Sequence, residues 1–565
     1  MAEARHTICN RDCPDACGIV ATEEGGAIKL KGDPDHPITR GFLCFRTSRF
    51  LDLQNSDQRV KQPLVRRDGE LLPASWDEAL DLIAAKLLAT REKHGPAAIF
   101  HYRSGGSLGI LKHLTDQFFD EFGPCTTKVG DICSGAGEAA QIEDFGVCDS
   151  NDLFDLLNSR HIVLWGKNPK VSNVHLVPVL QDARAKGAQI VSIDPVRHRS
   201  VALADESLCP APGADFELAM GVARELFDSG RVAPDAAAFC DHLDGYRALV
   251  ERHETEEWAR RAGVGTEQVK ALADRFADGP TAIVVGWGMQ RRCRGGAIVR
   301  ALDALSAISG NLFRSGGGVS FYFARRKPFC ALGQRVEHPR TIREPLFGED
   351  VLAASDPAIH LLWVTAGNPV AMLPDSAKVA RALDAVDFVV VADCLLTDTA
   401  RRADVVLPVP TLLEDSDLLG AYGHHWIGES RPVLDAPEGV RHEVQTFQDL
   451  ARRVGLASYP QDTIEQLKRQ SLGAIAGQGA GLDSLRRDGV VRSPLAAPLL
   501  FGDGKVLTPN QRVQLLHAPP GDVAAEAPPA EAGASAALWL FSNSTEKSQG
   551  SQWSGKGLGE RTWIT

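Results

Sequence analysis

The stretch 162–215 recurs two hundred residues further on as 361–414, and this repetition restricts the chain to a fold with two like halves. The first copy opens on the apolar run Ile162-Val-Leu-Trp165, then Gly166-Lys167-Asn168-Pro169, a helical pattern, Ile190-Val-Ser-Ile193 and Asp194-Pro195. The second opens on Leu361-Leu-Trp-Val364, then Gly367-Asn368-Pro369, a helical pattern, Phe388-Val-Val-Val391 and Asp393. Spacing is kept: Asn168 to Asp194 is 26 residues and Asn368 to Asp393 is 25. Asp194 to Asp205 and Asp393 to Asp404 are both 11, while Asp205 to Asp215 and Asp404 to Glu414 are both 10. Each copy reads as strand–loop–helix–strand, with polar residues at the carboxyl ends of strands, the edge where open α/β sheets bind ligands. Asn beside Pro makes a rigid turn whose N–H groups can meet a phosphate at a helix start. A carboxylate at the next strand end can accept from ribose hydroxyls or from the N1–H and N2–H2 donors of guanine. Two copies therefore imply two nucleotide-like ligands related by a pseudo-twofold. Plain duplication of a structural unit, with the acids as helix caps, is the alternative.

Cys9, Cys13 and Cys17 fall within nine residues, and Cys44 follows. Three thiolates on one loop plus a remote fourth is a layout that wraps a [4Fe-4S] cluster, which needs four soft ligands from different directions. A structural zinc site usually joins two C-x-x-C pairs, a spacing absent here; zinc, or free or disulfide cysteines, are the alternatives. The other eight cysteines are scattered and build no disulfide framework. A net charge of −12 argues against nucleic-acid or anionic-membrane partners, which require a basic face. No run of 18 apolar residues offers a membrane span. The short lead before Cys9 leaves no room for a signal peptide or twin-arginine leader, which reads as cytoplasmic.

Residues 18–22 and 27–31 read as a hairpin that returns Cys44 to the first three cysteines. Ser75-Trp76-Asp77-Glu78 has the form of a capping box opening a helix to about Lys93, with Trp76, Leu80, Ile83 and Leu87 on its apolar stripe. Alternating strands and amphipathic helices then run to about residue 455, the α/β signature. The Pro/Ala/Glu-rich stretch 518–537 reads as a linker, and 538–565 contains one short apolar strand.

Taken in order, these residues resemble the molybdopterin oxidoreductase family, the bis-guanine-dinucleotide, dimethyl-sulfoxide-reductase-like enzymes of molybdenum and tungsten. The resemblance rests on the cysteine loop, Gly41-Phe-Leu-Cys44, Ser75-Trp-Asp-Glu-Ala-Leu80, Gly166-Lys-Asn-Pro169, Asp194-Pro195 and Pro212-Gly213-Ala-Asp215. It continues through Gly286-Trp-Gly288, Ser309-Gly-Asn311 with Gly316-Gly-Gly318, Gly367-Asn-Pro369 and Ala403-Asp-Val-Val-Leu-Pro408. It implies a multidomain α/β fold: a small β-rich [4Fe-4S] domain at 1–62 and two pseudo-twofold Rossmann-like α/β domains. One of these spans 129–321 and the other 63–128 with 322–460; 461–517 is a connecting region, and 538–565 a stub of a C-terminal β-barrel.

The resemblance also implies that the two repeats hold two pyranopterin guanine dinucleotides clamping one Mo or W. Lys167, Asn168, Pro169, Asp194, Pro195, Pro212, Gly213, Asp215 and Gly288 would serve one, and Asn368, Pro369, Asp393 and Asp404 the other. The metal's protein ligand falls in Val129-Gly-Asp-Ile-Cys133-Ser-Gly-Ala-Gly137. Cys133 is the choice, since a soft thiolate suits a sulfur-rich metal; Ser134, Asp131 and a merely packed cysteine are the alternatives. Arg46 occupies the place of an electron relay between cluster and pterin, or forms a surface salt bridge. Asp12 and Asp15 would lower the cluster potential or cap its loop, and His424-His425 would either enter the substrate funnel or serve the structure.

The expected activity is two-electron oxidation or reduction, or oxygen-atom transfer, on a small substrate, with electrons leaving through the cluster to a redox partner protein. Ser134 stands where formate dehydrogenases of this family carry histidine, which makes formate oxidation a minor option. Relatives also carry a final β-barrel domain, so either the sequence is a fragment or a separate subunit supplies it, as in formylmethanofuran dehydrogenase. A hydratase on the same cofactor, using Asp12 or Asp15, and a non-catalytic electron-transfer or scaffold subunit remain as alternatives.

Overall fold

The computed structural model describes residues 4–333, 336–520 and 545; the linker and barrel stub expected at 518–565 lie almost wholly outside them. Two central strands decide the architecture. His161–Trp165 and Leu361–Thr365 are buried at every residue, as strands covered by helices on both faces must be. Their side chains alternate between two cores. Val163 and Trp165 join one core and Ile162 and Leu164 another. Leu361 and Trp363 likewise face away from Leu362 and Val364.

Around the first strand lies a five-stranded, all-parallel sheet. Its neighbours are Gln189–Ile193 and Thr281–Val285, with Glu206–Leu208 and Gly318–Ser320 at the edges. The second strand lies in an eight-stranded sheet between Ile99–Arg103 and Phe388–Asp393. Thr126–Val129, Thr341–Arg343 and Val405–Pro408 extend it in parallel, and the hairpin of Leu64–Arg67 and Glu70–Pro73 adds an antiparallel edge. Parallel sheets need crossover helices, and the repeats supply them in Leu176–Ala185 and Ser376–Asp384.

At the amino end, Arg5–Ile8, Gly18–Glu24 and Ala27–Gly32 form an antiparallel meander. A Cβ at Gly32 would lie 2.5 Å from the Phe42 backbone. Glycine there lets the chain double back toward Cys44. The helix at Trp76–His94 starts as the sequence indicates, with Ser75 Oγ accepting from Glu78 N at 3.1 Å. The reciprocal half of the capping box is absent: the Glu78 carboxylate pairs with Arg67 instead. All four residues of its apolar stripe are buried.

The stretch 461–517 does more than connect. Val490–Arg492 completes an antiparallel sheet with Asp417–Gly420 and Trp426–Ser430, and Val513–Gln514 pairs with Cys240–Asp241 of the first half. No helix among the described residues is long and apolar enough to cross a membrane.

Candidate active site and cluster loop

The four amino-terminal cysteines converge. Cys9 N donates to Cys17 O at 2.8 Å, closing the loop that carries Cys13. The Thr47 hydroxyl lies 3.7 Å from Cys9 Sγ and 3.4 Å from Cys44 Sγ, and Cys44 Sγ caps the short helix Phe45–Ser48. Burial holds the Cys17 thiol well above its ordinary value, and Asp15 and the other three thiols push the same way. Among the described residues, the one group of three ligand atoms within 4.8 Å is Asp15, Cys17 and His175, which takes in a single member of the quartet. Thiolates on one zinc ion, with Zn–S near 2.3 Å, would stand about 3.8 Å apart. The quartet is spread too widely for that and suits a larger cluster.

Asp15 anchors this loop to both halves and is not open to a substrate. Its carboxylate accepts from Asn173 Nδ2 at 2.5 Å and pairs with His175 Nδ1 at 3.0 Å. Its carbonyl meets His424 Nε2 at 2.8 Å. His425 is tied to Asp149 at 2.9 Å. Both histidines of the 424–425 pair are buried and committed to structural partners, which favours the structural of their two readings over funnel lining. Burial lowers His424 to about 4, which leaves it neutral. Arg46 is 3 % exposed, bears on Cys13, and keeps a buried Nη1 with no hydrogen-bond partner. It is no surface salt bridge. Lys167 is half-buried and lowered by burial to about 8, with Asp15 and Cys13 acting against burial, which turns this residue of the first repeat toward the cluster loop.

The two repeats are fastened alike. Asn168 and Asn368 hold nearly the same backbone angles (φ −112°, ψ 77° and φ −127°, ψ 68°), each followed by Pro at the helix start. Asn168 Oδ1 accepts from Ser200 Oγ at 2.6 Å, and Ser200 Oγ in turn accepts from Lys170 N. Asn368 Oδ1 accepts from Thr399 Oγ1 at 2.6 Å, which in turn accepts from Val370 N. Asp194 Oδ1 accepts from Val196 N and Asp393 Oδ1 from Leu395 N, each closing the turn after its strand. Burial raises Asp393 to about 6.

Pro195, the Pro212-Gly213 turn (φ +84° at Gly213) and Gly288 all follow carboxyl ends of strands in the first sheet. A Cβ at Gly288 would meet nothing within 4 Å, so the loop borders open space. Asp215 is buried at the start of helix Asp215–Asp228 and accepts from Trp165 Nε1 at 2.9 Å.

Asp404 does not belong with this set. It precedes Val405–Pro408, and its carboxylate accepts from Val389 N at 2.8 Å, at the amino end of the neighbouring strand. Asp205 does the same with Ile190 N. Both acids clasp the amino edge, roughly 13 Å of strand from the carboxyl edge at Asp393, so the assignment of Asp404 to ligand binding is corrected. Glu414 also departs from its counterpart Asp215: it pairs with a buried Arg59 at 2.5 Å.

Cys133 sits on the loop after Thr126–Val129. Asp131 Oδ1 turns back to accept from Cys133 N and Ser134 N, and the Ser134 hydroxyl is bonded to Glu138. Of the three ligand candidates, Asp131 is turned onto the backbone and Ser134 onto Glu138, while Cys133 Sγ meets a single donor, Arg291 Nη2 at 3.6 Å. Glu344 supports the loop from below, accepting from Ile132 N at 3.0 Å, Tyr102 OH at 2.7 Å and Lys128 Nζ at 2.9 Å. Burial pushes the Cys133 thiol up, as does Asp12, while Arg291 acts against them.

Asp12 is raised by burial to about 6 and bonded to Tyr422, with Arg325 and Arg291 near enough to bear on it. Tyr422 stacks on Trp287 at 4.8 Å, and Tyr322 lies parallel to Tyr422 at 5.9 Å, giving the cleft an aromatic wall. Gln290, Arg291, Trp287 and Tyr422 carry no sequence signal beyond their place near Gly286-Trp-Gly288 and Gly423. Their role follows from proximity alone.

Four converging thiols, a buried arginine with an orphan donor beside Cys13, and two matching Asn-Pro edges fit an iron–sulfur cluster beside an anionic, two-armed ligand. The architecture is that of an α/β redox protein with an amino-terminal cluster domain. Residues 59–453 match the molybdopterin oxidoreductase family and residues 2–56 its Fe4S4 domain, and the chain belongs to that family. It is a molybdopterin-dependent oxidoreductase with a 4Fe-4S cluster. A probable oxidoreductase of Bacillus subtilis (strain 168), YyaE, is 32% identical over 526 residues, covering 91% of this chain and 78% of that protein. The assimilatory nitrate reductase of Haloferax mediterranei is 28% identical, covering 81% of this chain and 68% of that protein. The acetylene hydratase structure from Pelobacter acetylenicus matches with a TM-score of 0.76 at 20% identity, over 90% of this chain and 77% of that one, and shares the fold.

Proposed function

We propose that the cofactor is a bis(guanine dinucleotide) pyranopterin, one arm on each repeat, that it holds Mo or W, and that Cys133 is the metal's protein ligand. The observation that carries this is the matched fastening of Asn168 and Asn368, and the nearness of Cys133 to Asp12 of the cluster loop supports its role. Lys167, Asn168, Pro169, Asp194, Pro195, Pro212, Gly213, Asp215 and Gly288 would hold one arm, and Asn368, Pro369 and Asp393 the other. When bound, the cofactor supplies a metal that exchanges two electrons with a small substrate.

The chain's own residues orient and insulate it. The Asn-Pro turns at 168–169 and 368–369 are held rigid by Ser200 and Thr399, which fixes the two strand-end loops against which the arms would lie. Arg46 places a positive charge on the path from Cys13 to the cleft, where it favours electron passage between two anionic groups. Electrons leave through Cys9, Cys13, Cys17 and Cys44 to a redox partner protein or subunit, and a separate subunit supplying a C-terminal barrel would close the cleft. A cytoplasmic setting suits an oxygen-sensitive cluster.

The test is anaerobic purification with counts of Fe, Mo, W and acid-released guanine nucleotide. Two nucleotides per group-6 metal support the reading; metal without guanine refutes the dinucleotide form.

One observation favours a second reading. Asp12, not Asp15, is the carboxyl near Cys133, and burial raises it to about 6, where a carboxyl can exchange a proton with a bound water or substrate, as a hydratase requires. Turnover that continues with no electron acceptor or donor would favour hydration; strict dependence on one excludes it.

A further inference from the structure

Arg291 lies on the loop after Thr281–Val285 of one sheet, whereas Cys133 lies on the loop after Thr126–Val129 of the other. Their contact therefore joins loops that leave the two different sheets. Arg291 Nε donates to Cys133 O at 3.2 Å and Nη2 to Cys133 Sγ at 3.6 Å, so two of its N–H groups are spent on one residue. It forms no ion pair among the described residues, although Arg294, three positions on, pairs with Glu217 at 3.1 Å. Next to it, the buried Gln290 donates to Cys133 O at 2.7 Å and accepts from Ala136 N and Gly137 N at 3.0 and 3.3 Å. Gln290 thus fixes the loop, and Arg291 reaches the sulfur.

We propose that Arg291 is a positioning residue for the metal's thiolate: its N–H···S hydrogen bond aims Cys133 Sγ and raises the reduction potential of the metal. The inference rests on the reading of Cys133 as ligand. A cationic donor on a thiolate draws electron density from sulfur, weakens its donation, and favours the reduced, less positive metal. The planar guanidinium can serve the carbonyl and the sulfur together. An ammonium is a compact charge without that rigid fork, so it would hold the pair less well.

The test is redox titration of the holoenzyme, followed by the EPR signal of the five-valent metal, for wild type, Arg291→Met and Arg291→Lys. With Fe, Mo or W, and guanine nucleotide contents as in wild type, R291M has a lower midpoint potential and an altered signal. R291K falls between, and activity drops about 10- to 100-fold in R291M, the usual cost of losing an outer-shell partner. An R291M midpoint and signal equal to wild type overturns the inference. Should R291M carry no metal, R291K decides, and a wild-type potential there overturns it equally. Cys133→Ala separates the two levels. An unchanged metal signal in C133A removes the ligand reading itself, whereas a changed signal in C133A beside an unchanged R291M removes only the role of Arg291.

Discussion

Asp393 and Asp404 stand eleven residues apart on opposite edges of one sheet, and substituting each by alanine should separate ligand binding from fold stability. Asp404→Ala removes the acceptor of Val389 N–H and leaves that strand-end donor unpaired. Losing such a bond in a half-buried site costs about 1–2 kcal/mol. In a cooperative unit of 150–250 residues, each kcal/mol lowers Tm by about 2–4 °C, so the expected drop is about 2–8 °C. Cofactor content should not change, because the carboxyl edge is untouched. Burial raises Asp404 more than its hydrogen bond lowers it. The charge itself is therefore a cost, and Asp404→Asn, which keeps an acceptor oxygen, should be as stable as wild type. Asp393→Ala also strips an acceptor from a backbone N–H, that of Leu395, so its Tm should fall by a similar amount; unlike D404A, it should also reduce guanine nucleotide and metal in the purified enzyme. The assays are differential scanning calorimetry and acid-released nucleotide per chain. A D404A protein that melts normally yet arrives without nucleotide would refute the edge argument.

Other outcomes follow from the same geometry. Cys133→Ala should abolish turnover while the iron–sulfur absorption stays intact, checked by activity and visible spectra on one preparation. Cys13→Ala should lose the cluster and lower the stability of the amino-terminal meander, read as iron per chain and as earlier proteolysis within the first 60 residues. Asp303, buried against Asp144, is held by burial at about 7. Because the unfolded carboxyl titrates near its ordinary value, stability should fall as pH rises from about 4 to 7. Asp303→Asn should flatten that slope in urea midpoints measured across the range, and an unchanged slope would count against the pair.

Much of this was visible in the sequence where spacing maps directly onto geometry. The Asn168 and Asn368 turns, the strands before them and the cysteine quartet all lie in short segments with local rules. Asp404 misled because a constant interval of eleven residues does not say how the chain travels. Here it crosses a 3-10 turn and returns to the amino edge. Glu78 was drawn from its cap by Arg67, on a hairpin far from any helix signal. For His424 and His425 the sequence leaves funnel lining and a structural place both open, since a polar pair after glycine fits either. Gly423 packs tightly on Pro14, with its N–H bonded to Pro14 O at 3.1 Å, and buries the pair. Gln290 and Arg291 reach Cys133 across more than 150 residues, a separation at which no period or motif is informative.

The binding of Asp15 to residues near 175 and 424 has a consequence for how the protein is made. Partners for the cysteine loop are not all translated until some 400 residues have followed it, about 20–80 s at ordinary rates of synthesis. Asn173 and His175 reach the loop first, about 160 residues behind it, and until His424 follows the loop lacks its contact with the second half. The loop's final clasp, through His424, comes from nearly the last part of the second half to leave the ribosome.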